Sequence, residues 1–187
     1  MVLASREQLI EYVNQGNPVE YLFFWGPGER DGAITRACLC QWYESPFVVD
    51  GVHYPTAEHY MMAEKARLFG DALMRERILA APSPGDAKML GRHVQGYDKQ
   101  SWRERRFDIV VAGSLAKFAQ NPALQQFLLD TGDQVLVEAS PIDTIWAVGM
   151  AEEHPDITHP GRWRGLNLLG FALMVARERL RNPRPGP

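Results

Sequence analysis

The chain has 187 residues, 23% of them charged, and a formal net charge of −3. This length suits one domain with a sizeable core, and the slightly acidic balance provides no basic face for sequence-independent binding to duplex nucleic acid. Charges within residues 1–13 exclude a signal peptide, and the longest apolar run, 168–176, is too short to cross a bilayer. We therefore expect a soluble, cytoplasmic protein with no membrane partner.

The first predicted elements are a helix and a strand. Ser5 and Gln8 form a possible capping box for a helix that ends near Gly16. The aromatic run over 21–25 predicts a strand, which stops at the turn-rich segment GPGER over 26–30. A plain turn is the favoured interpretation of that segment; the alternative is an anion-binding turn, because glycines let backbone N–H groups converge.

A hairpin and a long helix follow. Asp50-Gly51 lies between two short β-branched and aromatic runs, which predicts a β-hairpin over 46–54. Thr56 is a good N-cap residue and Gly70 a good C-terminal stop, so the segment between them is predicted to be helical.

The second half of the chain is mostly helical in pattern. The predicted elements are helices over 71–80, around 85–90, over 101–119 and over 122–130, a strand over 134–138 and an amphipathic closing helix over 168–180. The Pro/Gly-rich tail over 182–187 is predicted to be disordered. The sequence thus predicts an α+β fold: one compact, mostly helical domain over 1–181 with a small β-sheet.

Glu58 and Lys65 lie seven residues apart on the helix that follows the hairpin. Seven residues turn a helix by about 700° and advance it by roughly 10 Å, so the two side chains share one face. This spacing suits two groups that grip one small polar substrate, although solvated surface charges are the alternative. We expect both side chains to line one cavity together with Trp146.

Two further segments combine polar and aromatic groups. DTIWAVG places Asp143 three residues before Trp146, and GLNLLG places Asn167 at the start of the last helix. A tryptophan offers a flat face for stacking on a heterocycle, and an aspartate can bind a ribose hydroxyl or hold a water. A core tryptophan and a turn aspartate are the alternatives.

Other familiar sites have no support. The chain contains neither GxGxxG nor GxxxxGK[ST], and its five histidines have no metal-binding spacing. His59 is expected to be structural. Cys38 and Cys40 are badly placed for a mutual disulfide and are expected to be free thiols.

Five segments, taken in chain order, resemble the motifs of the NADAR (YbiA-like) superfamily. They are PFVVDGVHYPTAEHYMMAEKA over 46–66, AKMLGR over 87–92, Trp102 heading a long helix, DTIWAVG over 143–149 and NLLG over 167–170. The resemblance runs through nearly the whole chain. Two positions depart from the family pattern, Gln41 in place of a common Asn and Ala147 in place of a usual Gly, and these bear on fine substrate specificity.

The resemblance implies a YbiA-like α+β fold and N-glycosidase activity, without cofactor or metal, on ribosylated and often phosphorylated heterocyclic amines. Characterised classes of the family hydrolyse early riboflavin-pathway intermediates or remove ADP-ribose from guanine. By motif match the catalytic candidates are Glu58, Lys65 and Asp143. The substrate-binding candidates are Trp25, Trp42, Arg92, Trp102, Trp146 and Asn167.

The expected function is therefore hydrolysis of the ribosyl C–N bond of a small phosphorylated N-riboside from early riboflavin biosynthesis, with release of ribose 5-phosphate. The alternatives are an ADP-ribosyl hydrolase acting on guanine in nucleic acid and a non-catalytic module that binds ADP-ribose-like ligands. Two chemistries remain open: a carboxylate that stabilises positive charge or aligns water, and capture of the sugar carbon by Lys65 as a Schiff base.

Overall fold

A computed structural model of the chain describes residues 3–26, 28 and 33–183, which form seven α-helices and two two-stranded sheets. The helices are α1 (Arg6–Asn14), α2 (Ala57–Leu68), α3 (Ala72–Leu79), α4 (Pro84–Gly91), α5 (Lys99–Gln120), α6 (Pro122–Asp130) and α7 (Leu168–Arg181). The strands are β1 (Tyr21–Phe24), β2 (Phe47–Val49), β3 (Val52–Tyr54) and β4 (Val135–Glu138). The predicted α+β class is confirmed. Most of the predicted turn over 26–30 and the end of the predicted tail, 184–187, lie outside the described residues.

The parallel pair β1 and β4 brings together two segments that are far apart in the chain. Phe24 lies opposite Glu138 in the register. The strands therefore end together, and the chain beyond them, starting at Trp25 on one side and Ala139 on the other, leaves the sheet at the same edge.

The predicted hairpin and the helix after it are confirmed. Asp50 and Gly51 both have positive φ, at 50° and 76°, as a tight two-residue hairpin turn requires. Thr56 Oγ1 accepts a hydrogen bond from the backbone N–H of His59 and so caps α2. The His59 ring is buried between Thr56 Oγ1 and the carbonyl of Ala81, which confirms its structural role.

Helix α7 packs directly against β4. A Cβ atom at Gly170 would come within 2.0 Å of the Leu136 carbonyl oxygen, so only glycine permits this approach. The close contact sets the distance between the start of α7 and the end of β4. None of the helices in the described ranges is long and apolar enough to cross a membrane.

Lys117 ties α5 to the segment that precedes the hairpin. Its side chain is fully buried, and Nζ donates to the carbonyl oxygens of Cys38, at 2.7 Å, and Cys40, at 3.0 Å. Burial lowers the pKa of Lys117 to about 8. Cys38 and Cys40 are buried free thiols, as predicted. Lys117 thereby holds in place the backbone that leads to Gln41 and Trp42.

Candidate active site

A cavity of about 320 Å³ opens where the parallel strands end, against the first turns of α2. Three carboxyl groups line it: Glu58 from α2, Glu138 from the end of β4 and Asp143 from the loop that follows β4. Tryptophan side chains form much of the wall, contributed by Trp25, Trp42 and Trp146. The cavity therefore combines acidic groups with flat aromatic surfaces.

Glu58 is the most enclosed of the three acids. Its side chain is buried, and its Oε1 has no hydrogen-bond partner among the described residues. The Trp42 indole donates a hydrogen bond to the same carboxyl group. A buried carboxylate oxygen without a donor is costly, so this atom is positioned to receive a proton or a ligand.

Burial raises the pKa of Glu58 to about 7, with Lys88 and the Trp42 hydrogen bond opposing the shift and Asp143 adding to it. Burial also raises the pKa of Glu138 to about 8, and the charges of Asp143 and Glu58 push it in the same direction. Because the charges of the two groups repel, one carboxyl group can be ionised near neutral pH while the other still holds a proton. One acid and one base in a single cavity are what general acid–base chemistry requires near neutral pH.

Lys88 and Asp143 complete the polar lining. Lys88, from α4, is the one cation among the described lining residues; its charge acts on Glu58 and Glu138, and its Nζ lies 5.8 Å from the centre of the Trp42 ring. Asp143 Oδ1 accepts from the backbone N–H groups of Ile145 and Trp146, both at 2.8 Å. These bonds fix the loop that presents Trp146.

Asn167, predicted to contact substrate, is not among the residues that line the cavity. The residue is fully buried with φ of 54°, its Oδ1 accepts from the Glu138 backbone N–H at 3.0 Å, and its Nδ2 donates to the Leu136 carbonyl at 2.9 Å. The amide thus pairs with β4 as a neighbouring strand would. Asn167 positions Glu138 and leaves no polar atom for a ligand.

We expect Asn167→Ala to lower the free energy of unfolding by about 2–4 kcal/mol, because it leaves the Glu138 N–H and the Leu136 carbonyl buried and unpaired. Urea unfolding measures the change. Asn182→Ala is the matched control, since Asn182 lies exposed at the other end of α7 and bonds only locally to Glu178. Equal stability of the two variants would show that the two hydrogen bonds from Asn167 to β4 contribute nothing to the free energy of unfolding.

Lys65 does not share the cavity with Glu58, so the predicted joint lining is wrong for Lys65 and correct for Glu58 and Trp146. The cavity lies at the N-terminal end of α2, and two helical turns carry Lys65 past its edge. There the half-buried Nζ donates to the Gly91 carbonyl at 2.6 Å and lies over the Tyr97 ring, 4.5 Å from its centre. Burial lowers the pKa of Lys65.

Trp102 and Arg92, two predicted substrate contacts, also lie off the cavity lining. Trp102 is buried in the core on α5, with Lys65 Nζ 5.7 Å from its ring centre. Arg92 is exposed just beyond the last residue of α4.

The two departures from the family pattern lie in different places. Gln41 lines the cavity, and its carbonyl accepts a hydrogen bond from the Glu58 backbone N–H. Ala147 is buried behind the loop.

Glu138 is the main site residue that sequence reasoning missed. Its signal was present: a carboxyl group ends the apolar strand Val135–Val137, and buried acids are rare unless they have a function.

A wider groove of about 720 Å³ lies at the opposite end of β4, beside α6 and α7. Its cations are already satisfied. Arg181 pairs with Asp133 at 2.8 Å, and Arg177 donates to Thr131 Oγ1 and the Gln134 carbonyl. We therefore assign the chemistry to the smaller cavity, where the buried Glu58 Oε1 has no hydrogen-bond partner among the described residues.

A helical α+β domain that encloses an ionised and a protonated carboxyl group has the equipment of a hydrolase that cleaves glycosyl bonds. The NADAR domain family model matches residues 23–181, and the chain belongs to that family.

Named relatives agree with this class. The chain is 38% identical to N-glycosidase R617 of Acanthamoeba polyphaga mimivirus over 85% of this chain and 95% of that protein. It is 34% identical to N-glycosidase YbiA of Escherichia coli, over 94% and 96% respectively. The NMR structure of E. coli YbiA matches with a TM-score of 0.69, covering 87% of this chain and 85% of that one, at 29% identity.

The chain also resembles riboflavin biosynthesis protein VVA0006 of Vibrio vulnificus, at 32% identity over 88% of this chain and 40% of that protein. Taken with the family match, these similarities show a hydrolase acting on N-glycosyl bonds.

Proposed function

We propose that the protein hydrolyses the ribosyl C–N bond of reactive phosphorylated ribosylaminopyrimidine intermediates of early riboflavin biosynthesis, releasing ribose 5-phosphate. The observation that carries this proposal is the cavity itself, which encloses Glu58, Glu138 and Asp143 beside three tryptophans. Its volume of about 320 Å³ lies at the small end of the range for ligand pockets, about 300–1,000 Å³. A single ribosylated pyrimidine suits that size better than an ADP-ribosylated base.

The two titrating acids take complementary parts in this reaction. Cleavage of the C–N bond develops positive charge at the anomeric carbon, which the ionised Glu58 stabilises. The protonated Glu138 gives its proton to the departing nitrogen, and water adds its hydroxyl to the sugar while its own proton passes to Glu58. Proton exchange with solvent then returns Glu58 to its ionised form and Glu138 to its protonated form. Asp143 keeps Oδ2 for a sugar hydroxyl or for the water.

The aromatic wall supports recognition of the leaving group. Trp42 and Trp146 are part of the lining, and Trp25, 58% exposed, lies at the rim. A flat heterocycle gains from stacking on such faces, which are tolerant of its substituents. The name of the Vibrio vulnificus relative supports a heterocycle of the riboflavin pathway.

When the ribosylaminopyrimidine phosphate is incubated with the protein, we expect ribose 5-phosphate to appear at the rate at which the substrate is lost. The assay is run with EDTA in excess, since the sequence predicts no metal. The competing substrate is single-stranded DNA carrying ADP-ribosylated guanine. Release of ADP-ribose from that DNA, with no ribose 5-phosphate from the pyrimidine, contradicts the proposal, as does tight binding of either compound without product.

A further inference from the structure

Arg106 is a buried guanidinium that nothing in the described chain satisfies. It lies on α5 and is 9% exposed, and none of its nitrogens donates a hydrogen bond to a described residue. Its Nε is fully closed off from solvent, while the remaining nitrogens are not. A guanidinium carries five donors and keeps its charge at all ordinary pH values, so burial without an acceptor is costly.

The position of Arg106 connects it to the cavity. Its Cζ lies 6.0 Å from the centre of the Trp146 ring, and Trp146 is part of the cavity wall. Asp143 acts on Arg106 electrostatically, but Asp143 Oδ1 is occupied by backbone N–H groups and the two side chains form no ion pair. Arg106 thus lies beside the aromatic wall and forms no ion pair with Asp143.

Further cations lie nearby. Arg103, one helical turn earlier, is close enough to act with burial in lowering the pKa of Arg106, and Tyr97 interacts with Arg106 and also lies under Lys65 Nζ. In the described ranges, neither Arg103, Arg106 nor Lys65 forms an ion pair. The charge of Arg103 disfavours that of Arg106, and a bound anion offsets this repulsion.

We propose that Arg106, with Arg103 one helical turn earlier, forms the subsite for the phosphate group of the substrate. The inference rests on the proposed function and on a separation of charge. A phosphate dianion is repelled by Glu58, Glu138 and Asp143, and Lys88 is already opposed by two of these acids. The phosphate is therefore placed outside this acidic lining, beside Trp146, where the Arg106 guanidinium offers paired donors that match phosphate oxygens.

This arrangement gives each part of the substrate its own surface. The heterocycle and anomeric carbon lie with the acids and tryptophans, and the phosphate lies with Arg106. The binding energy of the phosphate then holds the sugar in position at the reacting bond, although the phosphate itself takes no part in the chemistry.

The test compares Arg106→Met with Arg105→Met. Methionine keeps much of the volume of the buried side chain and removes the charge, and Arg105 is an exposed neighbour on the same helix. Calorimetry measures binding of ribose 5-phosphate, ribose and ADP-ribose, and kinetics compare the phosphorylated substrate with its dephosphorylated form. Arg106→Lys, which keeps one charge and loses the paired donors, guards against a folding defect in the methionine variant.

We expect Arg106→Met to weaken ribose 5-phosphate binding at least about tenfold and to raise KM for the phosphorylated substrate, with kcat/KM for the dephosphorylated form within about twofold of wild type. Arg106→Lys is expected to fall between, and Arg105→Met to match wild type. If only ADP-ribose binds and Arg106→Met weakens it, the subsite stands and the pyrimidine substrate is wrong. Equal losses on both substrate forms, or unchanged binding of every phosphorylated probe, overturn the subsite.

Discussion

Glu58→Gln is expected to lower kcat/KM at least about a hundredfold, equivalent to about 2.7 kcal/mol of transition-state stabilisation. The amide keeps the shape of the side chain and can still accept the Trp42 hydrogen bond, but it can neither carry the charge nor take a proton. The wild-type rate is expected to rise through about pH 7 as Glu58 ionises and to fall above about pH 8 as Glu138 ionises. Steady-state kinetics from roughly pH 5 to roughly pH 10 measure both the rise and the fall of the rate.

Glu58→Gln is also expected to shift the part of the pH–rate profile that Glu138 controls. Because the charge of Glu58 helps to raise the pKa of Glu138, its removal moves the Glu138 limb to lower pH. Glu64→Gln is the matched control: Glu64 lies on the same helix, is buried to a similar degree and pairs with Arg67 outside the cavity. A Glu58→Gln enzyme as active as Glu64→Gln, with an unmoved pH profile, would remove Glu58 from the chemistry.

Lys65→Arg is expected to lose as much activity as Lys65→Ala, at least about a hundredfold, if Lys65 captures the sugar carbon as an imine. Guanidinium preserves the charge and cannot form that bond. Lys65 Nζ rests outside the cavity, but Met61, one turn earlier on α2, lines it, and helical side chains lean towards the N-terminus. Rotation of the lysine side chain away from the Gly91 carbonyl therefore carries Nζ towards the acids.

Borohydride reduction during turnover, followed by mass spectrometry, shows whether a sugar adduct forms and where. The imine route places an adduct on Lys65, whose pKa burial lowers, whereas direct attack by water, assisted by Glu58 and Glu138, leaves no adduct. Lys88→Arg is the matched control and is expected to keep most of the activity. If Lys65→Arg is active and no adduct forms, the role of Lys65 is electrostatic. If the adduct forms on Lys88, the nucleophile lies in the cavity.

The helices and the hairpin were predictable because local signals and tertiary contacts agree. Thr56 caps α2 and Asp50-Gly51 turns the hairpin, as their side chains and backbone preferences dictate. The boundary of α5 differs from the prediction: the helix begins at Lys99 because Asp98, three residues ahead of the expected start, accepts the Ser101 N–H and serves as the cap.

The composition of the cavity was only half predictable. Glu58, Asp143 and Trp146 are carried by motifs, but Glu138 enters the site through the pairing of β1 with β4, which no local pattern reveals. Asn167 shows the reverse case. A polar residue in a recognisable motif was expected to touch substrate, and its amide is instead consumed by β4. A motif indicates that a residue is important, whereas the fold determines which groups that residue contacts.

The raised pKa values of Glu58 and Glu138 also have a thermodynamic consequence: the chain takes up protons as it folds. In the unfolded chain both groups titrate near 4.5, whereas in the folded protein they hold their protons to about pH 7 and about pH 8. Their contribution to stability is complete below about pH 4.5 and is lost as the pH rises through those values. The fold thus loses stability from about pH 4.5 upwards, and the loss is complete only when both carboxyl groups of the cavity have ionised.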